Sequence, residues 1–161
     1  MVLVIALVDD LMFLSRIQEV ARRYAIPEVN SGIAMHQGVT TPQTPGLTIE
    51  LLFLNNSSAL LSACRERAPD LILADLSSPR LAAVDAIRNL YHEFPLMRIS
   101  AVGFYAHMDV EKAQEAQAAG YDQVMTRGVF FRELPRLLGS LVKNEVRADQ
   151  TFGCGGGSSQ A

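Results

Sequence analysis

The chain is poor in the residues that most often announce chemistry. It has no tryptophan, two cysteines and three histidines in 161 residues. Cys64 and Cys154 show neither a metal-ligand spacing nor the paired pattern of a disulfide framework, which excludes zinc modules and stapled secreted domains and fits a reducing, cytoplasmic setting. Cys64 falls on the apolar side of an expected helix and reads as a small core residue. His107 has no second His or Cys nearby and reads as surface. There is no run of five or more basic residues, and the formal net charge is −3, so nucleic acid held by bulk electrostatics is excluded. Long hydrophobic runs are missing too. The apolar start, Met1 to Val8, lacks a basic flank and runs into Asp9-Asp10, so it is a buried strand and neither a signal peptide nor a membrane span.

What is present suits one domain with a substantial core: 49% hydrophobic and 19% charged residues. Strands are expected at Val2–Val8, Leu47–Leu54, Leu71–Asp75, Ile99–Phe104 and within Tyr121–Thr126. Each is followed by a helix-period stripe. The first carries Phe13, Ile17, Val20, Ala21 and Tyr24, the second Leu60, Leu61, Cys64 and Ala68, and the third Leu81, Val84, Ile87 and Leu90 or Tyr91. The fourth, capped by Asp109 and ended by Gly120, is weakly apolar. The fifth carries Phe131, Leu134, Leu137, Leu138, Leu141 and Val142, with Pro135 placed in its first turn. Met108 and Met125 read as packing residues. Residues 27–46, rich in Asn, Gly, Thr and Pro, read as a loop insertion, and residues 144–161 as a flexible tail after a domain spanning 1–143. Alternating strands and helices with right-handed crossovers predict an α/β fold with a five-stranded, doubly wound parallel sheet in the flavodoxin-like order 2-1-3-4-5.

In that order the first and third strands are neighbours, and ligands gather at the carboxyl ends of such strands. Asp9, Asp10 and Asp75 are therefore expected to share one pocket. Three carboxylates within roughly 4–6 Å repel by about 2–4 kcal/mol per pair at an effective dielectric near 20, so a cation or protons must neutralise them. Mg²⁺, a hard ion content with a few carboxylates and waters, suits such a site. The plainer alternative is that Asp9-Asp10 only caps the first helix.

Val8-Asp9-Asp10, the strand ending Leu73-Ala74-Asp75 with Pro79 four residues on, and Gly120 before the last strand resemble the receiver domains of two-component response regulators. The resemblance implies that Asp10, assisted by Asp9, and Asp75 bind Mg²⁺. It also implies that Asp75 is the phosphoacceptor, taking a phosphoryl group from a histidine kinase or phosphotransfer protein. Three positions depart from the family pattern. Tyr105 stands where the family has Thr or Ser, Arg127 where it has Lys, and Ser78 where an apolar residue precedes the proline. Arg is planar and permanently charged, so it pairs with phosphate in a different geometry from Lys, or serves as a structural counter-ion in place of the metal. Tyr105 is equally readable as a half-buried aromatic whose hydroxyl meets a backbone group.

Two functions follow as expectations. One is a stand-alone, non-enzymatic receiver-like signalling domain, phosphorylated on Asp75 and acting through contact with a downstream protein or through a homodimer. The other is a pseudo-receiver that binds a protein partner without phosphorylation. A flavodoxin-like cofactor site is disfavoured, because Asp9-Asp10-Leu11-Met12 after the first strand would repel a phosphate.

Overall fold

The apolar runs become strands and the periodic stretches between them become helices in the computed structural model, which describes residues 2–24 and 49–151. The order is β1 (Val2–Leu7), α1 (Leu11–Arg22), β2 (Ile49–Leu54), α2 (Ser57–Glu66), β3 (Leu71–Asp75), α3 (Ala83–Glu93), β4 (Ser100–Tyr105), α4 (Val110–Ala119), β5 (Gln123–Thr126) and α5 (Arg127–Thr151). All five strands are parallel, in the order β2-β1-β3-β4-β5. The expected insertion at 27–46 lies outside the described residues.

Alternation along the strands divides the interior in two, because successive side chains of a strand point to opposite faces. Leu3, Ile5, Leu7, Ile72 and Ala74 pack with residues of α2, α3 and α4. Val2, Val4, Ala6, Leu71, Leu73, Val102 and Phe104 pack with α1 and α5. Every residue of β1 and β3 is buried, as a sheet covered on both faces requires. Cys64 lies in the first of these cores, and burial pushes its thiol up to about 11.

Two aspartates fix the register at the amino ends of the strands. Asp70, just before β3, accepts from the Leu3 N–H through Oδ2 at 2.8 Å, and its own N–H donates to the Leu3 carbonyl at 2.8 Å. Asp122, just before β5, repeats this with Ala101, at 2.7 and 2.9 Å. Both lie on the edge opposite the candidate site and are structural.

α5 departs from expectation at both ends. It starts directly after β5, so Pro135 lies well inside the helix and not in its first turn, where it removes the N–H that would bond to the Phe131 carbonyl. The Tyr24 hydroxyl donates to the Pro135 carbonyl at 2.7 Å, tying the end of α1 to this point. The helix also continues to Thr151, past the boundary expected at 143. Starting α5 early brings in Phe130, fully buried and stacked on Phe104 with ring centroids 4.2 Å apart.

Gly120 ends α4 at φ +117°, and a Cβ there would sit 2.8 Å from the Tyr91 ring. Gly120→Ala is expected to cost at least about 1–2 kcal/mol from the left-handed backbone alone, read as a lower urea midpoint; an unchanged midpoint would refute this role.

Candidate functional site

Asp75 is the last residue of β3, paired in register with Phe104 of β4. It is 2% exposed and is the only buried charged or polar residue among the described residues. A carboxylate taken out of water needs compensating partners, and two groups supply them. The Ser77 N–H donates to Asp75 Oδ1 at 3.0 Å. Arg127, the first residue of α5, places its Nη2 at 3.5 Å from Asp75 Oδ2, a long ion pair. Asp9, just past β1, acts unfavourably through its charge. Burial outweighs the favourable partners, so the Asp75 carboxyl is held above its ordinary value.

Arg127 is two strands from Asp75, a span of roughly 10 Å at ordinary strand spacing, which only a long side chain crosses. Its guanidinium is steadied on the Phe13 ring, with Cζ 4.8 Å from the centroid. Its Nε is buried and has no hydrogen-bond partner among the described residues.

The expected convergence of three carboxylates is not what the structure holds. Asp10 is exposed, and its Oδ1 accepts from the Met12 and Phe13 N–H groups at 2.8 and 3.3 Å as the N-cap of α1. The side chain expected to be the main Mg²⁺ ligand is thus bound to backbone. Asp9 does face the site, but its Oδ2 accepts from the Ser78 hydroxyl at 2.6 Å. Among the described residues no group of three or more His, Cys, Asp or Glu side chains is placed to hold a metal ion. Two carboxylates, Asp9 and Asp75, remain at the pocket, the number a hard divalent ion that keeps most of its waters calls for, with Arg127 also beside Asp75 Oδ2. The capping alternative describes Asp10, whereas Asp9 belongs to the pocket.

Tyr105 ends β4 half-buried, packed against the core on the α3 and α4 side, and its hydroxyl has no hydrogen-bond partner among the described residues. His107 is exposed, as expected. Met125 packs, but Met108 is 88% exposed and is not a packing residue.

Ser77 was not singled out by sequence, yet it joins the pocket to α4. Its hydroxyl accepts from the Ala106 N–H at 2.7 Å and donates to Asp109 Oδ2 at 2.6 Å. Asp109 occupies the N-cap position of α4 but makes no side-chain cap bond there. A serine two residues after a buried carboxylate was the only available signal, and turn serines are too common for it to stand out.

No protein-family model matches the chain, and no curated protein does either. Solved structures do match. A response regulator receiver domain protein from Clostridium thermocellum shares 15% identity at a TM-score of 0.62, covering 92% of this chain and 99% of that one. A response regulator in red light signalling of R. palustris shares 17% at 0.59, over 88% and 91%. The Mn²⁺-bound form of response regulator Rcp1 shares 14% at 0.59, over the whole of both chains. The fold is that of response-regulator receiver domains. At these identities the likeness is one of fold.

The raised Asp75 value sets a pH dependence. The folded state holds this proton more tightly than the unfolded chain does, so Asp75 contributes declining stability as pH rises from the ordinary value of 3.8 through the folded value. In thermal melts across acid to neutral pH, Asp75→Asn is expected to lack that decline and to gain on wild type as pH rises; a gap independent of pH would contradict it.

Proposed function

We propose that the chain is a non-enzymatic signalling domain of the two-component class that works by docking a protein partner, with Arg127 as the resident counter-ion of Asp75. The carrying observation is the Arg127–Asp75 pair at 3.5 Å, formed while Asp10 is engaged as a helix cap. In this arrangement a fixed guanidinium supplies the positive charge that a bound divalent ion would otherwise bring. The pair offsets part of the cost of burying the Asp75 carboxylate without calling on a metal or a phosphoryl group.

The partner face suggested by exposure is the carboxyl edge of the sheet. Leu11 and Met12 after β1 are 77% and 70% exposed, and Met108 after β4 is 88% exposed. Flexible, polarizable methionines suit adaptable protein contacts. The partner is a downstream protein, and self-association through the α4 and α5 face is a further route to output. No described helix is long and apolar enough to cross a membrane.

One observation favours a second reading, in which Asp75 accepts a phosphoryl group from a histidine kinase or phosphotransfer protein with Mg²⁺. The carboxylate ends the third strand beside Asp9, where an attacking oxygen would be held in place. That reading requires Asp10 to leave its cap and Arg127 to yield. Intact-mass measurement after treatment with acetyl phosphate, with and without Mg²⁺, separates the two. No adduct is expected under either condition. An Mg²⁺-dependent adduct present in wild type and lost in Asp75→Asn would replace the counter-ion reading with the phosphoacceptor one.

A further inference from the structure

Beside Arg127, α1 and α5 enclose an open pocket of about 320 Å³ lined by Phe13, Arg16, Arg127, Gly128, Phe131 and Arg132. Three guanidinium groups and no carboxylate line it, on a chain whose net charge is −3. The two helices contribute crossed pairs: Arg16 of α1 lies 4.0 Å from the centroid of Phe131 of α5, and Arg127 of α5 lies 4.8 Å from that of Phe13 of α1. A guanidinium stacked on a ring keeps its N–H edge available. Arg16 and Arg132 have no carboxylate partner among the described residues, and Arg127 is only loosely used by Asp75. The floor of the pocket is the first turn of α5, where N–H groups lack helical partners and the helix dipole favours negative charge. Above it the space is open, since a Cβ on Gly128 would meet nothing within 4 Å.

We propose that this pocket binds a small phosphate-bearing anion, held by the N–H edges of Arg16 and Arg132 and by the terminal nitrogens of Arg127. Three converging cations call for more than one negative charge, and guanidinium forks match phosphate oxygens pairwise. A single carboxylate would leave most of the charge unanswered. Because Arg127 also faces Asp75, the ligand and the buried carboxylate compete for one guanidinium, so occupancy of the pocket is coupled to the state of Asp75 in both directions. The binding site itself rests on the arginine cluster and stands whether or not Asp75 accepts a phosphoryl group.

The test titrates the full chain with inorganic phosphate, pyrophosphate and adenosine monophosphate against potassium chloride at matched ionic strength, reading backbone amide shifts and melting temperature. At least one phosphate compound is expected to give a saturable response centred on Gly128 and Arg132, and the strongest arm identifies the ligand type. Gly128→Leu, which fills the pocket without changing charge, should abolish it. The double variant Arg16→Gln/Arg132→Gln alters two exposed side chains and should weaken it at least tenfold. Response only to ionic strength, undiminished binding in either variant, or malonate binding as tightly as the best phosphate compound would overturn the proposal.

Discussion

A single carboxylate, buried where β3 ends, sets the terms for the surrounding loops. Asp75 cannot be moved outward, because β3 is paired on both sides and its backbone is committed to the sheet. Compensation must therefore come to it. A backbone N–H arrives from Ser77 and a guanidinium from Arg127, and the two approach opposite carboxylate oxygens. The first is an ordinary hydrogen bond at 3.0 Å and the second a long ion pair at 3.5 Å. Desolvation consequently remains the largest influence on the group. The pocket is held together without being fully neutralised, and this leaves it responsive to whatever else reaches Arg127.

The reach of Arg127 depends in turn on the aromatic cluster beneath it. Phe13 lies edge-on to Phe104, with centroids 5.9 Å apart, and Phe104 stacks on Phe130. Phe131 completes the group against Phe13 at 5.4 Å. These contacts join α1, β4 and α5, so the ring on which Arg127 rests is fixed by the same core that closes one face of the sheet. A lysine at this position would lack the planar head that stacks and would be a strongly hydrated point charge. Arginine at this position is thus matched by a built support for its guanidinium.

Much of this was legible in the residues. The parallel sheet covered on both faces followed from alternation, crossover handedness and uninterrupted apolar runs, and Asp75 announced itself by ending such a run. What sequence did not disclose was the direction of side chains at strand ends. Asp9 and Asp10 are adjacent, and a period of two gives them opposite faces, yet either was compatible with the pocket until the start of α1 was known. Its N-terminal N–H groups then claimed Asp10. Helix limits were obscured for a similar reason. Pro135 suggested a helix start, but the packing of Phe130 and Leu134 in the core holds the helix through it. Arg16 and Arg132 were invisible because isolated arginines on helices are ordinary, and only the crossing of α1 and α5 brings them together.

The relation between Ser77 and Tyr105 shows how the pocket communicates with the rest of the fold. A small hydroxyl residue at the end of β4 would be able to turn toward the carboxylate; the half-buried Tyr105 ring, packed against the core, leaves no comparable freedom. In this chain the hydroxyl that spans the gap belongs to Ser77 and comes from β3's own loop. Through its N–H it touches Asp75, and through its hydroxyl it holds Ala106 and Asp109. Asp109 is drawn away from capping α4, and α4 itself carries only small buried residues, Ala113 and Ala116. A helix with so little apolar anchorage depends on its ends for position. The serine therefore links the buried carboxylate, by two hydrogen bonds, to the start of a helix whose buried residues are both small.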